Sequence, residues 1–332
     1  MSRLQLSFAF GGNPRSRPLI SGAVQPEGLD LIASEVGMSD LAWRQFGYKE
    51  FDVSELSISS LIISRSHGDD TWVAIPAFTM RSFFHTRILI RDGAGIDDPS
   101  DLAGKRIGVP EYQQTAALWG RGALQHEWGV DPKSVKWFME RLPERSHGGA
   151  TGFNPTEIGI DLTYIPAASS IGAMLQADEL DAALLYIASP NLVDRSSIQF
   201  GEGSKVHPLF PDARAEAGRY FQKTSLMPVN HGLVVKREII ERHPWVALNL
   251  YNAFMEAKAT VVDESNTEID GMVDFSALDS AKAKAMRADP FPYGVIANRT
   301  VLETLADYSY EQGLSSKRVQ LEELFYPATL QL

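Results

Sequence analysis

Histidine is the one side chain that titrates near neutral pH without help, and arginine is the one whose planar fork grips a carboxylate through two parallel hydrogen bonds. Proton transfer on a small anion therefore starts with these two residue types. The chain has seven histidines. His85 follows Arg81 by four positions, between the apolar runs Trp72 to Phe78 and Arg87 to Ile90. An arginine in so apolar a setting needs a partner, either a ligand or an acid such as Glu55. His231 stands in Pro228-Val229-Asn230-His231-Gly232. Arg15 and Arg17 come just after the turn residues Gly11-Gly12-Asn13-Pro14, and Arg15 is the better placed of the two to hold an anion. His67, His126, His147, His207 and His243 stand in no comparable setting, and His243, between Arg242 and Pro244, reads as a helix-terminus residue.

Glu55 is expected to open a helix behind Ser54 as N-cap, where its carboxylate either complements the helix dipole or acts as a base or as the orienter of a histidine. Gln113, Gln114 and Thr115 at the start of a later helix, Tyr186 at a strand end and Tyr293 in a Pro-rich turn are the candidate hydrogen-bond donors. Other chemistries lack their motifs. There is no His-Glu-x-x-His pair and no Gly-x-Ser-x-Gly elbow, and Gly201-Glu202-Gly203-Ser204-Lys205 lacks the spacing of a phosphate loop. The chain has no cysteine, which removes disulfides, thiolate zinc sites, iron–sulfur clusters and a cysteine nucleophile. No metal or other cofactor is expected, although His85, His231 and Glu55 are the residues that would gather a metal from distant parts of the chain.

Strands and helices must position these groups. Buried strands are expected at Leu29 to Ala33, Trp72 to Phe78, Arg87 to Ile90, Arg106 to Val109, Asp161 to Ile165, Asp181 to Ile187 and Gly232 to Val235, after a first alternating strand at Leu4 to Phe10. Helical spacing is carried by Met38 to Phe46, Glu55 to Ser64, Thr115 to Trp128, Ile171 to Ala177 and Trp245 to Val262. The alternation makes an α/β protein, and 332 residues suit two domains at about 150 residues each. Pro143 to Gly159, rich in Gly and Pro, is the longest irregular candidate and reads as a loop over a site. With 42 acidic against 31 basic residues the net charge is −11, which disfavours nucleic acid and anionic lipid as partners. The first residues carry no secretory signal and no segment has the length of a membrane span, so the expected location is the cytoplasm.

The stretch Gly95-Ile96-Asp97-Asp98-Pro99-Ser100-Asp101-Leu102-Ala103-Gly104-Lys105-Arg106-Ile107-Gly108-Val109-Pro110 resembles the opening of the second lobe in type II periplasmic-binding-protein folds. That likeness implies two lobes, each a mixed sheet flanked by helices, joined by two crossover strands. Lobe I would span 1–85 and 229–332 and lobe II 86–228, with the ligand in the cleft between them and Glu111 to Thr115 in a turn suited to a carboxylate. Phe51-Asp52-Val53-Ser54-Glu55-Leu56-Ser57, Met80-Arg81-Ser82-Phe83-Phe84-His85, Trp119-Gly120-Arg121-Gly122, Glu241-Arg242-His243-Pro244-Trp245-Val246, Asp289-Pro290-Phe291-Pro292-Tyr293-Gly294 and the His231 segment together resemble the 4,5-dihydroxyphthalate decarboxylase family over nearly the whole chain. The related yeast-type pyrimidine synthases carry a cysteine-rich motif that is missing here.

The resemblance implies loss of CO2 from a hydroxylated phthalate, giving protocatechuate from 4,5-dihydroxyphthalate. Such a ring must be protonated at the carbon that bears the departing carboxylate, and a deprotonated hydroxyl para to that carbon drives charge there. The site then needs cations for two carboxylates, an acceptor for the phenol proton and a proton donor over the ring. The implied roles are His231 as proton donor, Glu55 or His85 at the phenol, and Arg15 and Arg81 on the carboxylates, with Gln113, Gln114, Thr115, Tyr186 and Tyr293 as further contacts. The partner would be a small aromatic dicarboxylate, and the family implies self-association into a homo-oligomer. A non-catalytic solute-binding protein for an aromatic acid or sulfonate is the alternative that the same fold leaves open.

Overall fold

The structure is a computed structural model that describes residues 3–332 apart from 277, 278, 288 and 290. Pro290, in the Pro-rich turn named above, thus lies outside the described residues. In chain order the strands are β1 (Leu4–Phe10), β2 (Leu29–Glu35), β3 (Val53–Ser57), β4 (Trp72–Arg81), β5 (Ile88–Arg91), β6 (Arg106–Val109), β7 (Lys136–Met139), β8 (Leu162–Tyr164), β9 (Ala182–Leu184), β10 (Val206–Pro208) and β11 (Val229–Lys236). They form two mixed sheets with helices between them, which is the expected α/β architecture. One sheet has the order β2-β1-β3-β11-β4 and the other β10-β5-β9-β6-β7-β8. The chain leaves the first sheet after Arg81 through the 3-10 turn Phe84–Arg87 and returns to it at Val229, which pairs with Arg81.

The first sheet is parallel from β2 to β3 and antiparallel where β11 inserts between β3 and β4. Phe8 and Phe10 lie one residue apart on β1, and their rings stack at 4.6 Å. Phe254 of the helix Trp245–Asp274 packs on both, at 6.2 and 5.2 Å, which seats that helix on the sheet. The helix outruns the expected end at Val262. Beyond Lys258 its only buried residue is Ile269, so the apolar periodicity fades while the backbone continues.

The largest local departure from expectation is at Glu55. The segment Glu55 to Ser64 reads as one helix by spacing but is split, with β3 ending at Ser57 and a helix over Ile58–Ser66. The antiparallel ladder from His231↔Ser57 to Val235↔Val53 supplies the partner that local propensity does not register. Ser57, not Ser54, is the N-cap, and its Oγ accepts from the Ser60 N–H. β3, β7 and β10 carry no expected strand; β7 and β10 are only four and three residues long and include Lys136, His207 and Pro208.

The helix Thr115–Trp128 follows β6, and small residues let it pack closely on both sides. A Cβ at Gly120 would lie 2.7 Å from Leu184 of β9, and one at Gly122 only 2.1 Å from the Tyr308 ring on the helix Arg299–Glu311. Between them the Trp119 indole N–H donates to the Val229 carbonyl at 2.9 Å. Among the described residues no helix is long and apolar enough to cross a membrane.

Candidate active site

A cavity of about 210 Å³ opens at the ends of both sheets. The first sheet contributes Ser57 at the end of β3, Met80 of β4 and the neighbours Asn230 and His231 of β11. The second contributes Gln114 before its helix, Arg141 after β7 and Leu185 to Ile187 after β9, while His147 comes from the 143–159 loop. This is the crevice outside the carboxyl ends of strands where α/β proteins commonly take ligands.

The antiparallel register brings His231 and Glu55 together. His231 pairs with Ser57 and Leu233 with Glu55, so Glu55 is the diagonal neighbour of His231. The His231 Nδ1 lies 3.2 Å from Glu55 Oε1, with the imidazole 13% and the carboxylate 2% exposed. The Asn230 Nδ2 approaches His231 Nε2 at 3.0 Å. This network assigns the proton of a neutral ring to Nδ1, donating to Glu55, and leaves Nε2 as an acceptor. A turn of the Asn230 amide would offer Oδ1 to an imidazolium instead, so Asn230 suits both protonation states.

Behind His231, Glu55 Oε1 also accepts from the Thr79 hydroxyl at 2.6 Å, and Arg15 donates through Nε and Nη2 to the Thr79 carbonyl while lying 4.1 Å over the Phe291 ring. Glu55 Oε2 is buried without a partner, as is the Tyr293 hydroxyl, whose titration burial pushes up. Arg15, Glu55 and Tyr293 thus back the cavity without lining it.

Arg81 takes a different place. It donates to the carbonyls of Met227 at 3.0 Å and Pro292 at 2.8 Å and to Asn298 Oδ1, tying β4 to the C-terminal segment. Burial lowers its pKa to about 10. Nη1 and Nη2 are thus held by three oxygens of the chain while Nε is buried without a partner, and the ion pair considered with Glu55 does not form. His85 also departs from its expected place. It lines no part of this cavity, and its Nε2 meets Glu216 Oε1 at 3.1 Å among Phe83, Trp128, Phe210 and Tyr220. Of the hydrogen-bonding candidates, Gln114 and Tyr186 line the cavity, although the Tyr186 hydroxyl donates to the Ile198 carbonyl at 2.7 Å. Gln113 and Thr115 are buried beside it, Gln113 accepting from Thr151 and Thr115 bonded to Ser57.

Four lining groups escape the sequence reading. Arg87 is exposed and has no carboxylate partner among the described residues, so its guanidinium is free for an anion. Its position inside an apolar run disguises it as strand. Arg141 is buried, with its fork closed on Asp194 at 2.7 and 3.0 Å and on the Ser39 hydroxyl at 2.8 Å. Asn230 adjoins His231. Nothing in the local sequence marks His147, yet it is buried in the cavity wall and stacks on Phe46 at 5.4 Å. Its Nε2 is 2.9 Å from Ser60 Oγ and its Nδ1 3.7 Å from Glu111 Oε2. Burial, with Arg141 nearby, lowers the His147 pKa to about 3, and burial raises that of Glu111 to about 7 against the pull of Arg141 and the Ser146 hydroxyl. Among the described residues no three His, Cys, Asp or Glu side chains converge as a metal site.

A curated protein from Comamonas testosteroni named 4,5-dihydroxyphthalate decarboxylase is 33% identical over 335 aligned positions, covering 100% of this chain and 99% of that one. The chain belongs to the 4,5-dihydroxyphthalate decarboxylase family. A second decarboxylase of that name, from Pseudomonas putida, is 34% identical over 68% of this chain and 84% of its own. No protein-family model matches the chain. Among solved structures, the periplasmic aliphatic sulphonate binding protein SsuA from Escherichia coli aligns with a TM-score of 0.56 at 13% identity, over 98% of this chain and 92% of that one. The alkanesulfonate-binding protein SsuA from Xanthomonas axonopodis, bound to MOPS, aligns at 0.53 and 12% identity, over 98% and 99%. The desulfurization enzyme DSZB aligns at 0.51 and 14%, over 98% and 97%. The chain thus has the periplasmic-binding-protein fold, which among these structures serves binders and an enzyme alike.

Proposed function

We propose that the chain converts 4,5-dihydroxyphthalate to protocatechuate and CO2. The observation that carries this reading is the His231–Glu55 pair in the wall of a cavity that also holds the free guanidinium of Arg87. Arg87 takes one carboxylate of the substrate, and the retained carboxylate orients the ring. His231, charged and steadied by Glu55, donates its Nε2 proton to the ring carbon as charge arrives from the ionised para hydroxyl, and the carboxylate departs as CO2 while the ring rearomatises. Each turnover consumes one proton, which returns to His231 from solvent. Acid, base and fixed charge suffice for these steps, so the reading needs no cofactor.

The same reading makes the partner a small aromatic dicarboxylate and places the chain in the cytoplasm as a homo-oligomer, away from membranes and nucleic acid. It divides the chain into a lobe of 1–85 and 229–332 and a lobe of 86–228 that close on the substrate. The family relationship supports the aromatic substrate. The test incubates the purified protein with 4,5-dihydroxyphthalate and follows protocatechuate and CO2; saturable binding without product would overturn it and favour a binder.

A further inference from the structure

Resting on that reading, we propose that Glu111 is the proton acceptor for the substrate phenol and that it acts at a distance, through a chain of Ser57, Ser60 and His147. The chain begins in the cavity. Ser57 lines it, and its Oγ is 3.0 Å from Ser60 Oγ and 2.9 Å from Thr115 Oγ1. Ser60 Oγ is 2.9 Å from His147 Nε2, and the opposite ring nitrogen faces Glu111 Oε2 at 3.7 Å. All five side chains are buried.

The donors have one consistent direction. The Ser59 N–H donates to Thr115 Oγ1 at 2.9 Å, which leaves the Thr115 hydroxyl proton free to be donated to Ser57. Ser57 then donates to Ser60, Ser60 donates to His147 Nε2, and the ring proton sits on Nδ1 facing the carboxylate. Neither His147 Nδ1 nor Glu111 Oε2 has a side-chain hydrogen-bond partner among the described residues, and the two face each other.

The balance is complete at every atom. The substrate O–H displaces the long 3.5 Å contact of the Ser60 N–H and passes its proton to Ser57 Oγ, whose own proton moves to Ser60 and that of Ser60 to His147 Nε2; as His147 Nδ1 and Glu111 Oε2 close from 3.7 Å to hydrogen-bond distance, the Nδ1 proton passes to the carboxylate. The substrate gains the negative charge that Glu111 loses, and His147 is neutral before and after, in keeping with a ring that burial holds uncharged. When CO2 has left, the same hops in reverse return the proton to the phenolate. The groups facing the pair are Arg141 and Asp194, with His231 beside His147 and Tyr164 beside Glu111. Glu111 lies behind the cavity wall and is a positioning residue that acts through His147, Ser60 and Ser57, whereas His147 also lines the cavity.

Steady-state decarboxylation by wild type, Glu111→Gln and Ser60→Ala between pH 5.5 and 9 tests the relay. In wild type, kcat/KM should rise with pH through a midpoint near the Glu111 value of about 7. Both variants should lose that limb and at least about tenfold in kcat while KM stays within about twofold, because general-base assistance is typically worth 10²–10⁴. Ser60→Ala carries the test alone if Glu111→Gln does not fold. Active wild type with kcat and pH profile unchanged in the variants would overturn the relay and leave the decarboxylase reading standing. Inactive wild type would overturn both.

Discussion

Two histidine–carboxylate pairs in this molecule are nearly identical in length and opposite in situation. His231 Nδ1 meets Glu55 at 3.2 Å and His85 Nε2 meets Glu216 at 3.1 Å. The first imidazole has Asn230 at its other nitrogen and stands in a cavity wall, whereas the second lies 4.7 Å from the Tyr220 ring, with Phe210 and Trp128 also against it. Glu216 is further held by Arg219 at 2.7 Å. Distance to a carboxylate therefore does not tell the two histidines apart. What differs is that the His231 ring lines the cavity and the His85 ring does not.

Three substitutions would break or sharpen that contrast. His231→Gln keeps a polar group of similar reach but no titrating nitrogen, and should lower kcat by about 10² or more with KM little changed, measured by product formation at saturating substrate. Arg87→Ala should raise KM about tenfold, in line with the roughly 1.5–3 kcal/mol of a charge-assisted hydrogen bond, with a smaller effect on kcat. His85→Phe should leave kcat within about twofold and instead change stability. Burial keeps His85 below the ordinary histidine pKa, so the unfolded chain binds its proton more readily and the wild type loses stability as pH falls below about 6.5. His85→Phe removes that loss, and its melting temperature should therefore be less sensitive to acid than that of wild type; a large fall in kcat instead would place His85 in the chemistry.

Glu111 supplies the opposite sign. Its folded pKa is raised to about 7 from an ordinary 4.5, so the native chain holds the proton more tightly and stability falls as pH climbs through that window. Glu111→Gln should be more stable than wild type at pH 8 and close to it at pH 5, by thermal melts at both values.

The alternation of strand and helix, and several element bounds such as β6 and the helix Thr115–Trp128, were legible because their apolar periodicity is strong and local. Met38–Tyr48 was legible for the same reason. β3 was not, since its ladder depends on a segment about 175 positions away, near the 176 that separate Glu55 from His231. The site divides in the same way. His231 and Glu55 sit in recognisable segments. Arg81 and His85 do as well, but their surroundings come from remote residues such as Asn298 and Glu216, and no local pattern announces those partners. His147 lies in a Gly-rich loop whose sequence carries no period at all, and only the fold brings it to Ser60.

The bonds Ser57–Thr115 and Ser60–His147, each 2.9 Å long, join side chains of the first sheet's half to side chains of the second. Slight separation of the halves cuts them at once, because a hydroxyl contact does not stretch by an ångström and survive. In the proposed relay, a molecule whose halves have parted has no sink for the phenolic hydrogen, so ionisation waits until they meet around the substrate. Timing of this kind would keep a catechol from being left as a reactive anion in an open mouth.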